Sequence, residues 1–153
     1  MPPIFSTEMI LLGVALVPAW VCALTDVKQQ RIPNRVLLPA GGVMLLLSPW
    51  YPGRPWWSGW VGGLVAGLAM GLLLELGQRL YGQPVIGYGD WKLMLYLGLV
   101  VGYPRVWWAL FWSLLSNGLV LACYVLRGAR GDARLPLAPA LVAGAIISLF
   151  CGG

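Results

Sequence analysis

The feature that most constrains this chain is the spacing of its charges. Met9 to Leu24, Val36 to Pro49, Leu93 to Tyr103, Val106 to Leu126 and Leu135 to Cys151 contain none, and neither does Gly59 to Leu74. Away from water a backbone can satisfy its own polar groups only as helices or a closed barrel, and a spanning helix needs about 20 apolar residues. Charged residues are 10% of the chain, against roughly 25% in a soluble domain. The sequence therefore predicts an all-α integral membrane protein, with one transmembrane domain over residues 1–153 and a bundle of about six helices.

The first helix is expected over Met9 to Leu24, ending at a polar turn that begins with Asp26 and runs to Arg35, where Pro33 forbids a helix and pushes Ile32 toward an extended backbone. The second runs from about Val36 to Pro49. Between Pro49 and Gly59 lie Trp50, Tyr51, Trp56 and Trp57 among prolines, the composition of an interfacial aromatic belt. A third helix, about Gly59 to Leu80, carries Gly59, Gly63, Gly67 and Gly71 at four-residue steps, a ridge that lets a neighbouring helix approach its backbone. Glu75 and Arg79 continue the same step in the order that favours a helix ion pair, which makes Glu75 a structural acid before a catalytic one. The fourth helix, about Trp91 to Tyr103, rises only about 20 Å, short of a hydrocarbon core of about 30 Å, so Asp90 is expected below the membrane surface. Helices over Val106 to Leu126 and Leu135 to Cys151 complete the count.

Basic residues set the orientation. If the Asp26 loop is cytosolic, the inner side holds Lys28, Arg31, Arg35, Arg79, Lys92, Arg127, Arg130 and Arg134, and the outer side Arg54 and Arg105. Both termini are then outside, with most tryptophans at the outer boundary. This bias accounts for the net charge of +5 without a nucleic-acid partner.

The chemistry gathers at Gly87-Tyr88-Gly89-Asp90-Trp91-Lys92. Two glycines around one residue permit positive φ and close approach, and the segment is expected to be a bent loop delivering Asp90 to the head of a helix. An acid beside an apolar run is costly, although the helix dipole also favours an acid in the first turn, here with Lys92 as a candidate partner. By helix parity Asp26 and Asp90 share the inner face. Paired carboxylates can hydrolyse a peptide bond without metal or cofactor: one, ionised, takes a proton from water while the other, protonated, polarises the carbonyl, and like charges held together share a proton. Structural ion pairs with Lys28 or Lys92 fit the same topology. The absence of histidine excludes histidine-based nucleophile activation and histidine metal ligands. Cys22, Cys123 and Cys151 form no CxxC pair and are expected to be buried small hydrophobes.

Asp26 followed by Ile32-Pro33-Asn34, and Gly87-Tyr88-Gly89-Asp90-Trp91-Lys92-Leu93, resemble the two signature segments of the type IV prepilin peptidases, membrane aspartyl proteases of the GxGD kind. Leu135-Pro136-Leu137-Ala138-Pro139 resembles the Pro-Phe-Gly-Pro stretch that opens the last helix of bacterial members, with Leu137 and Ala138 in place of Phe and Gly. The resemblance implies Asp26 and Asp90 as the catalytic pair and Gly87 and Gly89 as loop-shaping residues, with Lys92, Ile32, Pro33 and Asn34 completing the motifs. It implies prepilin or pseudopilin substrates, cut at the cytosolic face of the inner membrane after the glycine closing a short basic leader, no metal, and a multi-pass chain in contact with lipid. Longer members carry a segment of paired zinc-binding cysteines and also methylate the product; the 153 residues contain no such segment, so the expected form is peptidase-only. A small transporter or pilus assembly subunit using the two acids as a cation site is the rival outside enzymes, though acids at helix ends suit it poorly. A presenilin-like protease would carry its first acid after a tyrosine, and Asp26 follows Thr25.

Overall fold

The apolar runs fold as helices, and every regular element among the described residues is helical. The structure, a computed structural model, describes residues 7–29, 32–51, 53–82, 87–126 and 137–151. The elements are α1 (Thr7–Gln29), α2 (Asn34–Leu47) with a 3-10 turn at Ser48–Trp50, α3 (Ser58–Tyr81), α4 (Tyr88–Val101), α5 (Val106–Leu126) and α6 (Ala138–Cys151). The expected basic loop from Arg127 to Arg134 with Asp132, and Arg31, Leu135 and Pro136, lie outside the described residues.

Three of the boundaries that differ from the sequence expectation lie at the motif segments. α1 does not stop at Leu24 but continues through Asp26 to Gln29. Nothing between Thr25 and Gln29 breaks a helix, and the Thr25 hydroxyl bonds back to the Val21 carbonyl at 2.7 Å; the first residue forced to be extended is the one before Pro33. Pro33 (φ −72°, ψ 106°) is then the extended residue from which α2 departs two positions earlier than expected. α4 begins at Tyr88, so Asp90 is the third residue of the helix and not the end of a loop. Gly87 is extended (φ −69°, ψ 144°) and Gly89 helical, so neither adopts the positive φ expected of it. Among the described residues positive φ occurs instead at Gly53, Gly82 and Gly102, of which Gly82 ends α3 in the left-handed conformation and Gly102 ends α4.

α4 is the central helix. From Leu93 to Val101 its residues are buried save half-buried Leu95, enclosed by neighbours that include α3, α1, α2 and α6. A helix that is apolar all round belongs in such a position. The glycine ridge of α3 is what lets α4 approach. A Cβ on Gly63 would meet Leu99 at 2.8 Å, one on Gly67 would meet Leu95 at 3.2 Å, and one on Gly71 would meet the Trp91 indole at 3.3 Å. Beside the ridge Gly62 and Gly98 bring the backbones together, a Cβ on Gly98 lying 2.5 Å from the Gly62 carbonyl oxygen. α5 pairs with α6, where Ser113 donates to the Leu141 carbonyl at 3.2 Å and Gly144 leaves room for it.

The outer surface is apolar. Leu46, Leu64, Leu68 and Leu72 are all exposed, as are Trp50, Trp56 and Trp107. Among the described residues one stretch, Ser58–Leu80, is both long and apolar enough to cross a membrane; Val106–Val120 and Ala138–Leu149 are shorter apolar helices. Cys22 is buried, as expected. Cys123 is exposed on α5, against expectation, because an apolar helix surface need not face the core.

Candidate active site

Asp26 sits on the inward face of α1 near its end and is 8% exposed. Its Oδ2 accepts the backbone N–H of Ala138 at 3.1 Å. Ala138 is the first residue of α6, and the opening amides of a helix have no partner within it. That end of the helix dipole also favours negative charge. The following residue, Pro139, has no N–H to satisfy and suits the first turn. The late proline segment, known from sequence only as a resemblance, thus has a physical part: it starts a helix whose free amide points at Asp26.

Asp90 occupies the third position of α4. The Gly87 N–H is turned toward its carboxylate, the relation of a capping box in which an acid at the third position reaches back to the residue that opens the helix. A Cβ on Gly87 would stand 3.1 Å from Asp90 Oδ2, so a side chain there would crowd the acid. Oδ1 of Asp90 is buried and bonds to none of the described residues. Asp26 and Asp90 lie within electrostatic reach of each other at the same end of the bundle.

The two motif segments pack on one another around the acids. A Cβ on Gly89 would meet the Ile32 side chain at 3.2 to 3.3 Å, so Gly89 is needed for close approach. Lys92 Nζ donates to Asn34 Oδ1 at 3.4 Å. Pro33 contributes through its carbonyl, which accepts from Val36 at 3.0 Å and Leu37 at 3.2 Å to open α2. All eight sequence-predicted positions therefore cluster at one end of the bundle. The ion-pair alternatives do not form: Lys92 pairs with Asn34 and not Asp90, and Lys28 makes no ion pair with Asp26. The expected Glu75–Arg79 pair does form, at 2.8 Å. Among the described residues no three His, Cys, Asp or Glu side chains gather as a metal site.

Two contributors were missed in the sequence. The Ala138 amide is a backbone donor, whose only trace is the proline marking a helix start. The Trp91 indole donates to the Gly67 carbonyl at 2.7 Å and fastens the Asp90 turn to α3; the gap in side chains along the glycine ridge was its available signal.

Residues 13–126 match the model of the type IV leader peptidase family. The chain is 32% identical over 136 residues to a protein of Bacillus subtilis (strain 168) named prepilin leader peptidase/N-methyltransferase. That alignment covers 86% of this chain and 52% of the relative, so the chain spans about half the length of that protein. No solved structure matches.

Proposed function

The chain belongs to the type IV leader peptidase family, and on that footing we propose that it is a membrane-embedded aspartic endopeptidase removing the leader from prepilins or pseudopilins, with Asp26 and Asp90 as its catalytic pair. The observation that carries the reading is the convergence of these two acids, 64 positions apart, at one end of the bundle and within electrostatic reach. Asp26, which accepts the Ala138 amide at a helix N-terminus, is the member assigned the role of general base. Asp90, with one buried oxygen bonded to no described residue, is assigned the proton. Asp26 takes a proton from water as the water oxygen attacks the scissile carbonyl carbon, and Asp90 gives its proton to the carbonyl oxygen. The tetrahedral diol then returns a hydroxyl proton to Asp90, Asp26 protonates the leaving amine, and the C–N bond breaks. Gly87 keeps a side chain away from Asp90 and Gly89 lets Ile32 close on α4, while Pro33, Asn34 and Lys92 brace the strip between α2 and α4.

The apolar exterior and the tryptophans gathered about the α2–α3 connection support a six-span, multi-pass chain in the inner membrane, in contact with lipid, with both termini outside and the acids at the cytosolic face. The test is purified protein in detergent or nanodiscs with a substrate of basic leader, glycine and apolar helix. Release of the leader is expected, and its loss in Asp26→Asn and Asp90→Asn. A folded Asp26→Asn protein that still cuts would overturn the reading in favour of a transporter or assembly subunit using the acids as a cation site.

A further inference from the structure

Pro18 lies within the continuous helix α1, eight residues before Asp26. It brings no N–H for the Val14 carbonyl, and its ring disturbs the turn that contains Val14 and Ala15. Into this turn projects a polar group from another helix: the Tyr96 hydroxyl donates to the Ala15 carbonyl. Tyr96 is 2% exposed and lies on α4, six residues after Asp90. It borders a cleft of about 380 Å³ between α1 and α2, whose walls include Leu11, Val14, Pro18, Val43, Met44 and Leu47.

The stretch of α1 from Pro18 to Asp26 packs into the core through Ala19, Cys22 and Ala23. Two polar contacts flank it: Asp26 is bonded to α6 through Ala138, and Ala15, three residues before Pro18, to α4 through Tyr96. Of these two bonds, only the second reaches the helix that carries Asp90. A helix is free to bend at a proline. Over the roughly 12 Å from Pro18 to Asp26, a tilt of about 5° moves the carboxyl by about 1 Å, and a misplacement of that size can cost about 100-fold in rate.

We propose that Tyr96 is a positioning residue for the carboxylate pair: its bond to the Ala15 carbonyl, in the turn that precedes Pro18, sets how α1 presents Asp26 to Asp90. The inference rests on the aspartic-peptidase reading and extends it to a residue outside the motifs, buried between the helices. Substrate binding does not depend on the hydroxyl, which is enclosed, so the effect falls on turnover.

The experiment uses the full chain in detergent with the leader-bearing substrate, comparing wild type, Tyr96→Phe and Asp26→Asn. Tyr96→Phe keeps the ring and deletes the donor. The expected result is a kcat lower by tenfold or more per folded molecule, a KM within twofold of wild type, and a thermal midpoint within a few degrees. Unchanged kcat, a KM effect alone, or a loss that vanishes on normalising to folded protein would overturn the role. If Tyr96→Phe does not fold, Pro18→Ala decides. It restores the helical ladder with the best helix former and draws the turn away from Tyr96, so the same fall in kcat at constant KM is expected, and wild-type kinetics would overturn the proposal. Asp26→Asn separates the two readings. Activity in that variant removes the aspartic mechanism, whereas its inactivity beside an unaffected Tyr96→Phe removes only the role of Tyr96.

Discussion

The Asp26 carboxylate and the Ala138 backbone amide meet at 3.1 Å across 112 positions of sequence, joining the end of α1 to the start of α6. The contact satisfies a helix-opening N–H that would otherwise be buried without a partner, and it fixes one acid of the proposed pair. A hydrogen bond to a charged group contributes about 1.5–3 kcal/mol. Ala138→Pro deletes this donor at the helix position where proline is best tolerated. Cleavage is expected to fall about tenfold or more with helix content retained by circular dichroism. An Ala138→Pro protein of wild-type rate would show that the amide does not serve Asp26.

The contact of Gly89 with Ile32 makes a size-exchange prediction. A Cβ at Gly89 needs Ile32 to give by a few tenths of an ångström, so Gly89→Ala is expected to slow cleavage several-fold. Ile32→Val shortens the obstructing side chain. The pair Gly89→Ala with Ile32→Val should recover part of the loss, a coupling that adjacent residues show and distant ones do not. Strict additivity in kcat/KM would mean that the two segments do not bear on each other.

What was legible in the sequence was whatever a run of residues decides locally. Charge-free stretches marked the helices, the four-residue glycine steps from Gly59 to Gly71 marked the ridge that α4 occupies, and Glu75 followed by Arg79 marked the exposed ion pair. The acids and their motif neighbours were legible because unusual polar residues stand out in an apolar chain. Three things were not. Asp26 lies within α1 because helix ends are set by the first true breaker, here Pro33, and not by the first polar residue. Gly87 and Gly89 serve by lacking side chains against Asp90 and Ile32 and not by left-handed φ, two uses that one sequence cannot separate. Backbone partners such as the Ala138 amide and the Ala15 carbonyl carry no residue identity at all.

Gly98 tests the packing that supports Asp90. Its Cβ would lie 2.5 Å from the Gly62 carbonyl oxygen and 2.7 Å from the Ala66 side chain, with backbone on one side that cannot rotate away. Gly98→Ala is expected to cost about 1–3 kcal/mol by overpacking, read as a lower thermal midpoint in detergent. Gly118→Ala on α5 is the control. Nothing stands within 4 Å of the added carbon, and alanine in a helix gains about 0.5–1 kcal/mol over glycine. Equal responses at the two positions would contradict the close α3–α4 approach.

Orientation has its own readout. If the proposed orientation holds, a phosphatase reporter fused after Gly153 is expected to be active, and one inserted between Arg127 and Arg134 inactive. The reverse pattern would put the acids on the outer face and remove the cytosolic cleavage site.

Carboxylates that act as a unit leave a particular signature. Asn preserves size but can neither accept the proton from water nor donate one to the carbonyl, so Asp26→Asn and Asp90→Asn should each lower cleavage by about 10³-fold or more, and the double change by little beyond that. Two acids with separate structural roles would instead show losses that multiply. Glu75 supplies the control within the same chain: it is bonded to Arg79 at 2.8 Å, but its side chain is 56% exposed. An exposed pair of this kind is worth about 1 kcal/mol or less, so Glu75→Gln should stay within a few-fold of wild type. Loss of activity in Glu75→Gln equal to that in Asp26→Asn would mean that any acid in this bundle is needed for folding. The distinction between the proposed catalytic pair and the surface pair would then fail.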